Sequence, residues 1–185
     1  LLVRADHVAI AADRDYLPAL RAAIAGARER LWCTQFVVDG RPAVDVAGDV
    51  RYLCHAVAEA ASRGVDVRVL LDDLVPDTSP REMNWAALEF LASRGVVVRA
   101  HREPFVRKRL LAARYRTLHA KLVVVDDLAI VGNHNWTPGA FADNHELSLV
   151  VRGAGPTELV ARRFEALWAH GVPHRAPRPP LWGAR

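Results

Sequence analysis

Lysine is nearly missing from this sequence: of its 25 basic residues only Lys108 and Lys121 are lysines. A lysine therefore departs from the chain's habit, and one inside an apolar stretch occupies an uncommon place for a charge. Cysteine is equally sparse, with Cys33 in an apolar, strand-like run and Cys54 in a helix-like one. The pair fits no zinc-ligand pattern, and two buried, reduced thiols are expected in preference to a disulfide. No apolar run is long enough to span a bilayer, so no transmembrane segment is expected. Internal repeats are also lacking, which excludes a repeat array. A cytoplasmic location is expected; a secreted or periplasmic one is the alternative if a leader was removed ahead of Leu1.

What is present is a chain of 185 residues, 51% of them hydrophobic and spread along its whole length. That supports one globular domain with a sizeable core and argues against disorder. The formal charge of +4 favours an anionic partner. The signal is mild, because an almost pure arginine usage also follows from genomic composition.

Strand and helix patterns alternate. Strands are expected at Val8–Ala11, Leu31–Val38, Val65–Leu71 and Val96–Ala100, and helices at Tyr16–Arg28, Val50–Ser62 and Glu82–Ser93, the last two stopping at Gly64 and Gly95. This rhythm, with continuous apolar strands, predicts an α/β fold with a central mixed, mostly parallel sheet and helices on both faces. The rhythm then changes. His101–Thr117 is a polar, basic connector, Leu118–Val125 and Leu128–Val131 read as a hairpin, Glu146–Val151 as a further strand, and a last helix starts at Gly155-Pro156. A single domain over 1–171 and a Pro/Arg-rich tail over 172–185 are expected.

The chemistry concentrates between Leu118 and Val150. His119, Lys121 and Asp126 form H-x-K-x-x-x-x-D; Gly132, Asn133, Asn135 and Trp136 follow, then Asn144 and Glu146. On a strand, His119 and Lys121 project from the same face. A phosphodiester gathers negative charge as it is attacked, and lysine and asparagine donors stabilise its non-bridging oxygens. A neutral imidazole nitrogen attacks phosphorus if its other nitrogen is held by an acceptor, for which Glu146 is the choice. These steps need no metal and no cofactor.

His119–Asp126 resembles the HKD signature of the phospholipase D superfamily at every fixed position. Gly132-Asn133-His134-Asn135-Trp136-Thr137 is similar to the family's following segment, with Asn133 where serine is usual, and Asn144-His145-Glu146-Leu147 to its downstream acidic element. The span from Asp126 to Gly132 is one residue short of the family pattern. The resemblance implies a phospholipase D-like α/β/α sandwich. It also implies His119 as nucleophile, Lys121 and Asn135 as phosphate ligands, Glu146 as the histidine's partner, and a structural role for Asp126. The single motif points to the branch of small bacterial nucleases.

Around this core the assignments are looser. Arg102, Arg107, Lys108, Arg109, Arg114 and Arg116, with Phe105 and Tyr115, read as a nucleic-acid groove or as a solvated connector or lipid contact. Asn133 and Trp136 are candidate substrate contacts, Trp136 alternatively packing beneath the loop. His134 and His145 read as rim or structural residues, His101 as a polar strand end, and Asp72 and Asp73 as loop caps. The expected activity is a metal-independent endonuclease acting on DNA or RNA through a covalent phosphohistidine. A phospholipase or phosphatidyl transferase is the alternative, and a non-catalytic nucleic-acid-binding module a third reading. One motif in a reaction needing a nucleophile and a separate general acid predicts a homodimer with a composite site.

Overall fold

The computed structural model describes residues 3–41, 48–73, 79–106 and 113–174, with the side chains of 79, 104–106 and 113–115 left aside. The sheet strands are β1 (His7–Ala12), β2 (Arg30–Gln35), β3 (Asp66–Asp72), β4 (Val97–His101), β7 (Lys121–Val125), β8 (Leu128–Gly132), β9 (Leu147–Arg152) and β10 (Gly171–Pro173). They form one sheet in the order β1-β9-β8-β7-β2-β3-β4-β10. A separate two-stranded ribbon joins β5 (Glu103–Val106) to β6 (Ala113–Arg116). The helices are α1 (Tyr16–Gly26), α2 (Asp49–Ser62), α3 (Ser79–Ser93), the five-residue α4 (Pro138–Ala142) and α5 (Ala154–Trp168).

The α/β fold with a mixed sheet and helices on both faces is as expected, but the sheet is not mostly parallel. Only the β2–β3 and β3–β4 pairings are parallel; the other five, β1–β9, β9–β8, β8–β7, β7–β2 and β4–β10, are antiparallel. Parallel neighbours need a long crossover, which α2 and α3 supply, whereas the tight Asp126-Asp127 turn permits only an antiparallel pair. The basic connector also differs from expectation, since β5 and β6 pair within it. Its Arg107, Lys108 and Arg109 lie outside the described residues. Strand β10 carries the sheet past Gly171 by pairing with β4.

The helix stops follow from backbone geometry. Gly64 and Gly95 have φ of 88° and 81°. In each, the glycine N–H and the next N–H reach back to helical carbonyls: Gly64 to Ala61, Val65 to Ala60, Gly95 to Ala92 and Val96 to Leu91. These are paired C-terminal caps that only a residue without Cβ adopts cheaply.

Two cores result. α1–α3 pack on one face around Leu20, Ile24, Leu53, Leu88 and Val123, and α5 on the other around Phe164, Leu167, Leu122 and Leu70. Each fully buried side chain of this size contributes about 1.5–3 kcal/mol. Cys33 and Cys54 are buried free thiols in the first core. No described helix is long and apolar enough to cross a membrane.

Candidate active site

The carboxyl ends of the parallel strands β2 and β3 meet the start of β7 and the β8–β9 connection, the place where open α/β sheets present ligand sites. β7 begins at Lys121, not at Leu118. The β2 ladder reaches only Thr34 opposite Leu122. Beyond it, Thr34 Oγ1 donates to Ala120 O at 3.0 Å and Leu118 N donates to Asp72 Oδ2. His119 therefore sits on an extended lead-in that two side chains hold in place.

His119 and Lys121 do come together. Lys121 Nζ lies 3.1 Å from His119 Nδ1, 3.3 Å from Nε2 and 3.0 Å from the His119 carbonyl. His119 is exposed, while Lys121 is only 5% exposed. Phe36, at the end of β2, braces both: its ring is 4.5 Å from the imidazole and 5.1 Å from Nζ. Desolvation, and then the Lys121 charge, lower the His119 pKa. The imidazole is thus biased toward its neutral, nucleophilic form near pH 7. Desolvation also lowers the Lys121 pKa, and the Glu146 charge opposes it.

Asn135 is partly buried and its Oδ1 accepts from Val37 N at 3.3 Å, so the Asn135 loop is fastened to the end of β2. Glu146 is near enough to act on Lys121 electrostatically. Its carboxylate accepts from Asn144 Nδ2 at 3.1 Å, and among the described residues it makes no hydrogen bond with His119.

Asp126 occupies the β7–β8 turn with φ of 48°. Its carboxylate accepts from the backbone N–H groups of Arg28 at 3.0 Å, Glu29 at 2.9 Å and Arg30 at 3.0 Å. Burial raises its pKa, but these three donors and the Arg30 charge together bring it below the ordinary carboxylate value. The motif aspartate ties the turn to the start of β2. Gly132 allows strand contact: a Cβ there would lie 2.1 Å from Ser148 Oγ and 2.4 Å from Leu147 O.

Trp136 is not placed to touch substrate. It is 1% exposed, donates from Nε1 to Tyr16 Oη at 3.2 Å, and supports the loop from beneath. Asn133 is exposed, with its Oδ1 accepting from Leu147 N at 2.7 Å. His134 is a core residue, stacked on Tyr16 at 4.0 Å, and His145 is exposed. His101 is buried at the end of β4.

Sequence reasoning did not single out Phe36, or Asn84, which is fully buried. Asn84 accepts from Val38 N at 2.8 Å and donates to Phe36 O at 2.8 Å and Asp72 O at 3.0 Å. An asparagine inside an amphipathic helix was the available signal, but its partners lie on distant strands. Among the described residues, no three His, Cys, Asp or Glu side chains are grouped to hold a metal ion. A cavity of about 530 Å³ beside Gly40, Cys54, Ala87 and Phe90 lies apart from the motif residues.

Comparison with known proteins bears on the fold and the family. Nuc, a phospholipase D family member from Salmonella typhimurium, is similar with a TM-score of 0.69 and 20% identity, over 91% of this chain and 98% of that one. NucT from Helicobacter pylori gives 0.67 and 17% over 91% and 100%. The phosphatidylserine synthase of Haemophilus influenzae gives 0.64 and 16% over 91% of this chain and 40% of its own. No significant match is found among curated protein sequences. With residues 20–168 also matching the family described as cardiolipin synthase, PLD-like domain, the chain belongs to the phospholipase D superfamily.

Proposed function

We propose that the protein is a metal-independent phosphodiesterase, specifically an endonuclease, that works through a phosphohistidine on His119. The observation that carries this reading is the buried Lys121 ammonium against the exposed His119 imidazole. One imidazole nitrogen attacks phosphorus, forming N–P as the bond to the leaving oxygen breaks. Lys121 and Asn135 stabilise the charge on the non-bridging oxygens. Water then attacks phosphorus as the N–P bond breaks, its proton passing to the group that protonated the leaving oxygen, and His119 is released. Glu146 accepts from the other ring nitrogen once the side chain turns from Asn144, and stabilises the imidazolium.

The leaving oxygen needs a proton, and a second copy of the chain supplies it from its own His119 across a two-fold axis. The sheet also offers a second copy an exposed apolar surface, on the face opposite Lys121. Ile10, Leu149 and Val131 stand side by side on β1, β9 and β8, and Ile10 is 65% exposed. Val8 and Leu147 extend the same band. A fully active monomer by light scattering would rule the composite site out.

Nucleic acid is the preferred substrate because of the net positive charge and the basic segment that includes Arg107 and Arg109. TrmBL2, an archaeal chromatin protein whose structure shows a novel mode of DNA binding, is similar with a TM-score of 0.53 and 15% identity, over 95% of this chain and 56% of that one. Phospholipid is the second reading, favoured by the likeness to a phosphatidylserine synthase and by the cardiolipin synthase family description.

The test is incubation with single- and double-stranded DNA, RNA and phospholipid vesicles in EDTA, with His119→Ala as control. Cleavage of polynucleotide in chelator is expected. Vesicle turnover alone would select the lipase reading, and salt-sensitive binding without turnover the binding module. Activity lost in EDTA and restored by magnesium would sink the mechanism.

A further inference from the structure

We propose that Asp13, which lies outside the motif and 133 residues from Glu146, is a positioning residue that holds the Glu146 backbone for its role at His119. This rests on the role given to Glu146 above.

The β1–β9 ladder runs in register to Ala12 opposite Leu147. The next pair is Asp13 with Glu146, and here the ladder changes character. Asp13 turns into the left-handed region with φ of 47°. Its N–H donates to Glu146 O at 2.9 Å, while its own side chain, through Oδ1, accepts from Glu146 N at 2.8 Å. Both backbone polar groups of Glu146 are therefore held by one residue. The left-handed conformation is strained for most side chains but accessible to Asp and Asn.

The clamp is anchored from behind. The Asp13 carbonyl lies 3.2 Å from His134 Nε2, and a carbonyl only accepts, so Nε2 carries the proton. Nδ1 is then the acceptor for Ser148 Oγ at 2.8 Å. His134 has no exposed surface, and its ring lies parallel to Tyr16 within 5°. Burial lowers its pKa, in keeping with this neutral tautomer. Ser148 presses on Gly132, where no Cβ fits. Tyr16, His134, Asp13 and Ser148 thus tie α1, β1 and β9 into one support under the Glu146 backbone. The second carboxylate oxygen of Asp13 lies 3.3 Å from Nδ1 of the fully exposed His145.

Three substitutions separate the bond from the strain. Asp13→Asn keeps an Oδ1 acceptor and tolerates the left-handed backbone. Asp13→Ala loses both features, and Asp13→Gly relaxes the backbone but has no acceptor. Ala and Gly should lower kcat by about 10- to 100-fold with little change in KM, the size of effect expected from a misplaced catalytic group. Asn should stay within about threefold of the parent. In the double variant Asp13→Ala/Glu146→Gln the loss should be no larger than the greater single loss, because both act through one group. A second readout needs no turnover: amide exchange at Glu146 should speed up in Ala and Gly but not in Asn. Recovery of activity in Gly, damage in Asn equal to that in Ala, or multiplying losses in the double variant would overturn the proposal. If the parent chain turns over no phosphodiester, the functional reading fails, and amide exchange alone decides the clamp: equal exchange in Ala and Asn rejects it.

Discussion

Asp72 offers a direct thermodynamic test, because its burial makes a signed demand on stability. It is 4% exposed at the end of β3, and burial, partly offset by the Leu118 N–H, raises its pKa from 3.8 to about 6, with the neighbouring Asp73 charge adding to the rise. A raised folded-state pKa means that the native chain binds more protons than the unfolded chain between about pH 4 and 6. Wild-type stability therefore falls as pH rises through that window, and the cost persists above it. About two units correspond to about 3 kcal/mol at most. Asp72→Asn keeps an oxygen for Leu118 N but cannot ionise. The stability of the variant relative to wild type should thus rise by about 1–3 kcal/mol between pH 4 and pH 8. Urea unfolding at pH 4, 5, 6 and 8 measures the difference, and other titrating groups cancel in it. A difference that is flat with pH, or that falls as pH rises, would refute the reasoning.

Other perturbations test separate parts of the site. Gly132→Ala drives a Cβ into Ser148 and the Leu147 carbonyl and should cost about 1–3 kcal/mol, seen as a lower melting temperature; an unchanged melting temperature would mean the strands part freely. Asp126→Ala removes the acceptor of three N–H groups and should cost about 2–3 kcal/mol in urea unfolding, while the folded fraction keeps its specific activity. Loss of specific activity without loss of stability would make Asp126 chemical rather than structural. Arg107→Ala with Arg109→Ala should weaken polynucleotide binding and reduce the slope of log affinity against log salt by about one unit per lost phosphate contact. An unchanged slope would remove these arginines from the interface.

Local signals carried much of this molecule. Gly64 and Gly95 marked two helix ends, because left-handed caps need a residue without Cβ. The valine-rich strands and the H-x-K spacing identified the sheet and brought His119 and Lys121 together. Partner choice was less legible. Nothing in the pattern of His7–Ala12 says that β1 crosses to pair with β9, so the sheet was read as more parallel than it is. The short α4 and β10 offer too few residues for a period to emerge. Asp72, Asn84, Phe36 and Asp13 escaped for a common reason. Their roles depend on groups far away in sequence, such as Leu118 for Asp72, Glu146 for Asp13, Val38 for Asn84 and His119 for Phe36, and an aspartate at an element end, as Asp72 and Asp13 are, looks like an ordinary cap.

The central claim is that His119 is the nucleophile. The direct measurement is to trap the intermediate on a labelled phosphodiester, denature the enzyme in alkali, where phosphohistidine survives, and map the label by mass spectrometry. Label on His119, and neither label nor turnover in a folded His119→Ala variant, is the predicted result. Label on another residue, or near-normal turnover by His119→Ala, would contradict it.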